Sequence, residues 1–263
     1  VSDKVLIEIA VDSVSSAVAA ERGGAARVEL CADLLEGGVT PSAGMIAATR
    51  SAISIGLHVM IRPRGGDFSY DSDEIDVMAR DIAMAKSLGA DGVVLGILAT
   101  NGHVDVDRTR RLVDLARPLE VTFHRAFDMS ADLFKSFEDV CATGANRLLT
   151  SGGESNCLEG IETIAALVKA TRGRIAIMAG GGIRPENAAR IVAATGVRDI
   201  HAGLSTAVES PVAYRNPRVS MGKAPGREYE RHQVAEERVR QLRESAEGSP
   251  TWRGRAAGDP SPR

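Results

Sequence analysis

Residues 5–31 read Val5-Leu6-Ile7-Glu8-Ile9, a helix-like Ser13–Arg22 with alanines and valines at helical spacing, Gly23-Gly24-Ala25, and Arg27-Val28-Glu29-Leu30-Cys31. A short apolar run, a helix, a glycine where a left-handed C-cap is wanted and a second apolar run make one βαβ unit. The unit repeats. Strand-like runs follow at Leu57–Ile61, Gly92–Leu95, Glu120–His124, Arg147–Thr150, Arg174–Ala179 and Asp199–His201, with helices near Ala43–Ile53 and Asp73–Leu88. The glycine stop returns in Leu88-Gly89-Ala90, Thr143-Gly144-Ala145 and Thr195-Gly196-Val197. Eight strands in units of roughly 20–35 residues favour closure into one α/β fold, a (β/α)8 TIM barrel of parallel strands, over an open doubly wound sheet.

The barrel is expected over residues 1–245, with 246–263 as a disordered tail rich in Gly, Ser, Pro and Arg, in which Trp252 is an incidental exposed residue. Glu228–Glu244, charged but with Val234, Val239 and Leu242, reads as either the last barrel helix or a solvated extension. The chain is 44% hydrophobic but only 3% aromatic, so the core is built from Ala, Val, Ile and Leu. A formal charge of −3 gives no electrostatic reason to expect nucleic acid or an acidic membrane surface. No apolar run approaches the roughly 18 residues of a membrane span, and Val1–Ala10 lacks the pattern of a secretory signal. Cys31, Cys141 and Cys157 form an odd set without CxxC spacing, which makes a reducing cytoplasm the default compartment.

Side chains alternate along a strand, and the helix-facing set must be apolar. Ile7 and Ile9 therefore face the helices, and Glu8 and Ala10 point into the barrel. The same parity sends Glu29 and Cys31, then His58, Met60 and Arg62, then Thr122 and His124, then Asp199 and His201 to the lumen. Buried ionisable groups must pair with one another, bind water or hold a ligand. A self-satisfied salt-bridge network is the plain reading. Chemistry at the carboxyl ends of the strands is the other.

Glu8, Glu29, His124 and His201 could hold a divalent metal, or supply acid and base for proton transfer beside a carbonyl. Arg62, Arg64 and Arg125 suit a carboxylate or phosphate, although Arg125 has opposite parity to His124 and is equally suited to tying down its loop. Thr150-Ser151-Gly152-Gly153 and Gly180-Gly181-Gly182 expose backbone N–H groups that could cradle an anion at Ser151, Gly152, Gly181 and Gly182, or are simply tight turns. The triple glycine lacks the spacing and acidic partner of a dinucleotide site.

Several of these segments together resemble one family, the CutC family. They are Arg27-Val28-Glu29-Leu30-Cys31, Glu36-Gly37-Gly38-Val39-Thr40-Pro41-Ser42, Ile61-Arg62-Pro63-Arg64-Gly65-Gly66-Asp67-Phe68 and Val121-Thr122-Phe123-His124-Arg125-Ala126-Phe127-Asp128-Met129. Leu149-Thr150-Ser151-Gly152, Met178-Ala179-Gly180-Gly181-Gly182 and Tyr214-Arg215-Asn216 extend the likeness over about Leu6 to Gly222. The resemblance implies a cytosolic TIM barrel, often a homo-oligomer, associated with copper binding and tolerance. Copper is then the implied ion, with Cys31 its chief ligand. The family pattern commonly has Glu-x-Cys on the first strand as well, where this chain has Glu8-Ile9-Ala10, so one thiol is missing. Met60 is a possible soft substitute. The alternative drawn from the residues alone is a barrel enzyme (isomerase, lyase or aldolase-like) acting on a small anionic or phosphorylated metabolite. In it Glu8 or Glu29 is the base, His124 the acid and Arg62 the anion clamp.

Overall fold

The helices start and stop where the sequence supplies caps. A computed structural model describes residues 4–221 and 228–248. In α1 (Val14–Gly23) the Ser13 side chain accepts from the Ser16 N–H, and Gly24 closes the helix at φ 91°. Helix α2 spans Ala43–Ala52, and α3 (Ser72–Ser87) opens on a reciprocal Asp71–Glu74 capping box. Asp105 and Asp132 cap α4 (Val106–Ala116) and α5 (Leu133–Thr143). Helices α6 (Ile161–Thr171), α7 (Pro185–Thr195) and α8 (Glu236–Glu247) complete the ring. The four glycine stops expected from sequence, Gly24, Gly89, Gly144 and Gly196, all adopt positive φ.

Strands β1 (Leu6–Val11), β2 (Arg27–Leu30), β3 (Gly56–Met60), β4 (Gly92–Leu95), β5 (Glu120–Phe123), β6 (Arg147–Thr150), β7 (Ala176–Gly180) and β8 (Asp199–Ala202) form one closed parallel barrel in chain order. Closure is direct: Glu8 is in register with Arg27 of β2 on one side and His201 of β8 on the other. The expected TIM barrel is the fold. Ile7, Ile9, Val28, Leu30, Leu57, Val59, Val93, Phe123 and Ile200 pack in the main apolar core. The opposite parity leaves Cys31, Met60 and Val94 as a separate small cluster.

Of the two sequence readings of Glu228–Glu244, the last barrel helix holds for the second part of the segment only. Its first part is a strand, β10 (Glu230–Val234), antiparallel to β9 (Ser205–Glu209). Its second part is α8, the eighth barrel helix, which packs between α1 and α7 and buries Val239, Leu242 and Ala246. Because Ala246 and Glu247 belong to α8, the expected boundary at residue 246 falls too early. Residues 249–263, with Trp252, lie outside the described residues. Among the described residues no helix is long and apolar enough to cross a membrane.

Candidate functional site

The start of the barrel lumen is a network of paired charges. Arg27 donates from Nε to Glu8 Oε2 at 2.5 Å and from Nη2 to Asp199 Oδ1 at 2.6 Å. Arg147 lies 3.3 Å from Asp199 Oδ1 through Nε, and donates to Glu120 Oε2 at 3.0 Å and to Thr122 Oγ1 at 3.2 Å. Sequence reasoning singled out neither arginine. Both have inward parity but sit at strand starts, away from the carboxyl ends where the chemistry was sought. Burial alone would raise the Glu8 carboxyl, but Arg27 and His201 hold it well below the usual carboxylate range. Glu8, fully buried, is thus a fixed anion that does not line the mouth.

Above it runs a chain of contacts toward the strand ends. His201 Nδ1 is 2.8 Å from Glu8 Oε1, and its Nε2 is 3.7 Å from Glu29 Oε2. The Cys31 thiol points at the same Glu29 oxygen, 3.5 Å away. Despite the burial penalty, Glu29 and Glu8 push the His201 imidazole up. Burial pushes the Glu29 carboxyl up, with His201 opposing it. Burial and the Glu29 carboxylate push the Cys31 thiol well above its ordinary value.

The mouth itself is a cavity of about 320 Å³, with Glu29, Met60, Arg62, Phe68, His124 and His201 in its wall. Strand parity places Glu29, Met60, Arg62, His124 and His201 on this side, whereas Phe68 comes from the loop after β3. Gly96 makes room for His124, since a Cβ there would lie 2.6 Å from the His124 Nδ1. That Nδ1 accepts the Ala126 N–H at 3.1 Å, and burial together with Arg62 pushes the imidazole down to about 3. His124 is neutral.

Of the proposed divalent set, Glu8, Glu29 and His201 each offer one donor atom, all within 4.8 Å of one another; His124 is not among them. Both Glu8 oxygens are already engaged, one by Arg27 and one by His201. A softer donor pair lies beside Glu29. Cys31 and Met60 pack together with Val94, under the bare α-carbon of Gly38, which sits at φ 91°. A Cβ at Gly38 would lie 2.9 Å from Cys31 Sγ and 3.6 Å from the Met60 methyl. Ala10, opposite Glu29 in register, adds no donor.

At the rim, the structure spends much of the expected anion site on the protein itself. Arg62 donates to the carbonyls of Glu36 and Gly38 through Nη1, at 2.7 and 3.0 Å, and to Gly66 O through Nη2 at 2.7 Å. Arg64 is tied to Glu74 and Asp67 and lies over the Tyr70 ring. Arg125 pairs with Asp128 at 2.8 Å and donates to Ser151 Oγ at 2.6 Å, the loop-tying role. Asp128, overlooked in the sequence, accepts the N–H groups of Ser151 and Gly153, both at 3.0 Å, and the Thr150 hydroxyl. Gly152 N–H goes to Thr150 Oγ1 at 2.8 Å. The amides read as a phosphate cradle on this turn are therefore engaged internally. Gly181 and Gly182 have positive φ, and Gly181 is packed close against Ser151 and Arg125. Asp128→Ala would unpair several of these groups at once, so it is expected to cost about 3 kcal/mol in urea unfolding; a loss below about 1 kcal/mol would show the turn holds without it.

The CutC family model matches residues 5–206. A Chromobacterium violaceum protein described as a family protein CutC is 48% identical over 243 residues, 92% of this chain and 98% of its own. The Mus musculus copper homeostasis protein cutC homolog is 48% identical over 217 residues, 82% of this chain and 80% of its own. A crystal structure of CutC from Streptococcus agalactiae superposes with a TM-score of 0.72 at 37% identity, covering 75% of this chain and 97% of that one. A family model spanning most of the chain, relatives near half identity and a shared barrel agree, and this chain belongs to the CutC family.

Proposed function

We propose that this protein serves copper homeostasis by taking up Cu(I) at Cys31 and Met60. The observation that carries the reading is the buried Cys31–Met60 cluster, a thiol just after β2 and a thioether at the end of β3 packed together under the close-lying Gly38. Cu(I) prefers soft sulfur donors, whereas Glu8, Glu29 and His201 offer oxygen and imidazole. The name of the mouse relative, copper homeostasis protein cutC homolog, supports the same assignment. Cys31, Cys141 and Cys157 are all free thiols, as the reducing cytosol of this reading requires. A homo-oligomer, as the family resemblance implies, is the assembly we assign to it.

Titration with Cu(I) against a competing chelator tests the site. Cys31→Ser is expected to weaken binding by about 100-fold or more, and Ala10→Cys, which restores a second inward thiol, to strengthen it. Unchanged affinity in Cys31→Ser would remove the assignment. The metal must displace the thiol proton, and the Cys31 thiol titrates far above neutrality. Apparent affinity should accordingly rise close to tenfold per pH unit between about pH 6 and 8. A flat profile would point away from a thiolate ligand.

A further inference from the structure

Three features of the mouth cavity have no counterpart within the protein. Arg62 is a buried cation, 5% exposed, whose guanidinium donates to neutral carbonyls and lies against the Phe68 ring and near the Tyr70 hydroxyl; no ion pair with it exists among the described residues. His124, 4% exposed, uses Nδ1 to accept the Ala126 N–H, which puts the ring proton on Nε2, and Nε2 has no partner. Glu29, also 4% exposed, leaves Oε1 unpartnered while Oε2 serves Cys31 and His201. An unpaired buried cation and two unmet polar atoms each cost stability, and a ligand can remove that cost.

The three groups stand close together. Arg62 and His124 both lie against Phe68, the guanidinium 4.8 Å from its ring centroid and the imidazole 5.0 Å from it. All three residues, with Phe68, line the same cavity of about 320 Å³, at the lower end of the size of small-molecule sites. A cation and a neutral N–H donor call for a carboxylate. The Glu29 oxygen calls for a hydroxyl, which can donate to it or accept from it in either protonation state.

We propose that the barrel mouth binds a small 2-hydroxycarboxylate of about three to five carbons, its carboxylate on Arg62 and His124 Nε2 and its hydroxyl on Glu29 Oε1. Phe68, Met60 and Leu149 supply the apolar wall for its carbon chain. The site needs no metal, so it stands or falls separately from copper uptake.

Thermal unfolding of metal-free protein with glycerate, and with propionate as the hydroxyl-less control, tests the site. Glycerate at about 50 mM is expected to raise Tm by about 2 °C or more, and propionate by less than half as much. His124→Leu should abolish the glycerate shift while keeping the far-UV spectrum. In case that variant does not fold, Glu29→Ala should erase the difference between glycerate and propionate. Cys31→Ser should retain the full response, which separates this site from the copper site. No shift with glycerate, an equal shift with propionate in the unsubstituted protein, or a response kept in a folded His124→Leu would each overturn the proposal.

Discussion

Arg27→Met is expected to destabilise the protein by about 3–5 kcal/mol, the range found when one member of a buried ion pair is removed. The reason is positional. Arg27 leaves β2 directly opposite Glu8 in register and bridges it to Asp199, joining β1 and β8 across the closure of the barrel. Methionine fills a similar space but abandons two buried carboxylates, with His201 and, at 3.8 Å, His58 left for Glu8 and Arg147 for Asp199. In a protein of this size such a loss lowers Tm by roughly 6–20 °C. The exposed Arg174–Glu138 pair supplies the contrast, with two short contacts of 2.6 and 2.8 Å but side chains 43% and 59% exposed. Arg174→Ala should cost under about 1 kcal/mol. Equal effects of the two substitutions in urea unfolding would show that the lumen network does not hold the barrel.

Stability should also fall steeply as the solution is acidified from pH 6.5 toward 3. The His124 imidazole, ordinarily titrating near 6.5, is pushed down to about 3 in the fold, by burial first and by Arg62 second. Between these values the unfolded chain takes up a proton that the folded one refuses, so stability increases with pH across the window. The contribution is complete above 6.5 and gone below 3, changing by about 1.4 kcal/mol per pH unit to a total near 5 kcal/mol. His58, lowered by burial, acts in the same direction below 6.5. His201 and Glu29, both raised, act oppositely: their contribution is present at acid pH and is lost as pH rises through their folded values. His124→Asn keeps an acceptor for the Ala126 N–H and cannot be protonated. Its stability profile should therefore be flatter between pH 6.5 and 3. Parallel profiles for the two proteins would show that His124 is not the buried titrating group.

The barrel was legible because two independent periodicities agree in this chain. Glycine stops recur ahead of several strands, and Glu8, Glu29, His58, Thr122, His124, Asp199 and His201 all keep the parity that puts them in one lumen. The same rule applied to strand starts would have found Arg27 and Arg147, which turn the lower lumen into a structural network. Asp128 was not legible in that way. Its carboxylate sits just after β5, and its meaning lies in amides of the loop after β6, more than 20 residues away. The β9–β10 hairpin escaped notice because its two strands are exposed, polar and far apart in sequence. The close approach of Gly38 to Cys31 and Met60 depends on how the loop holding Gly38 folds back over them, which no local pattern encodes.

Copper K-edge absorption spectroscopy of the Cu(I)-loaded protein bears on the central claim most directly, because it reports the atoms bound to the metal. The account expects a low-coordinate first shell of sulfur from Cys31 and Met60, lost in Cys31→Ser. A first shell of nitrogen and oxygen, unchanged in that variant, would place the ion on Glu29 and His201 instead and contradict it.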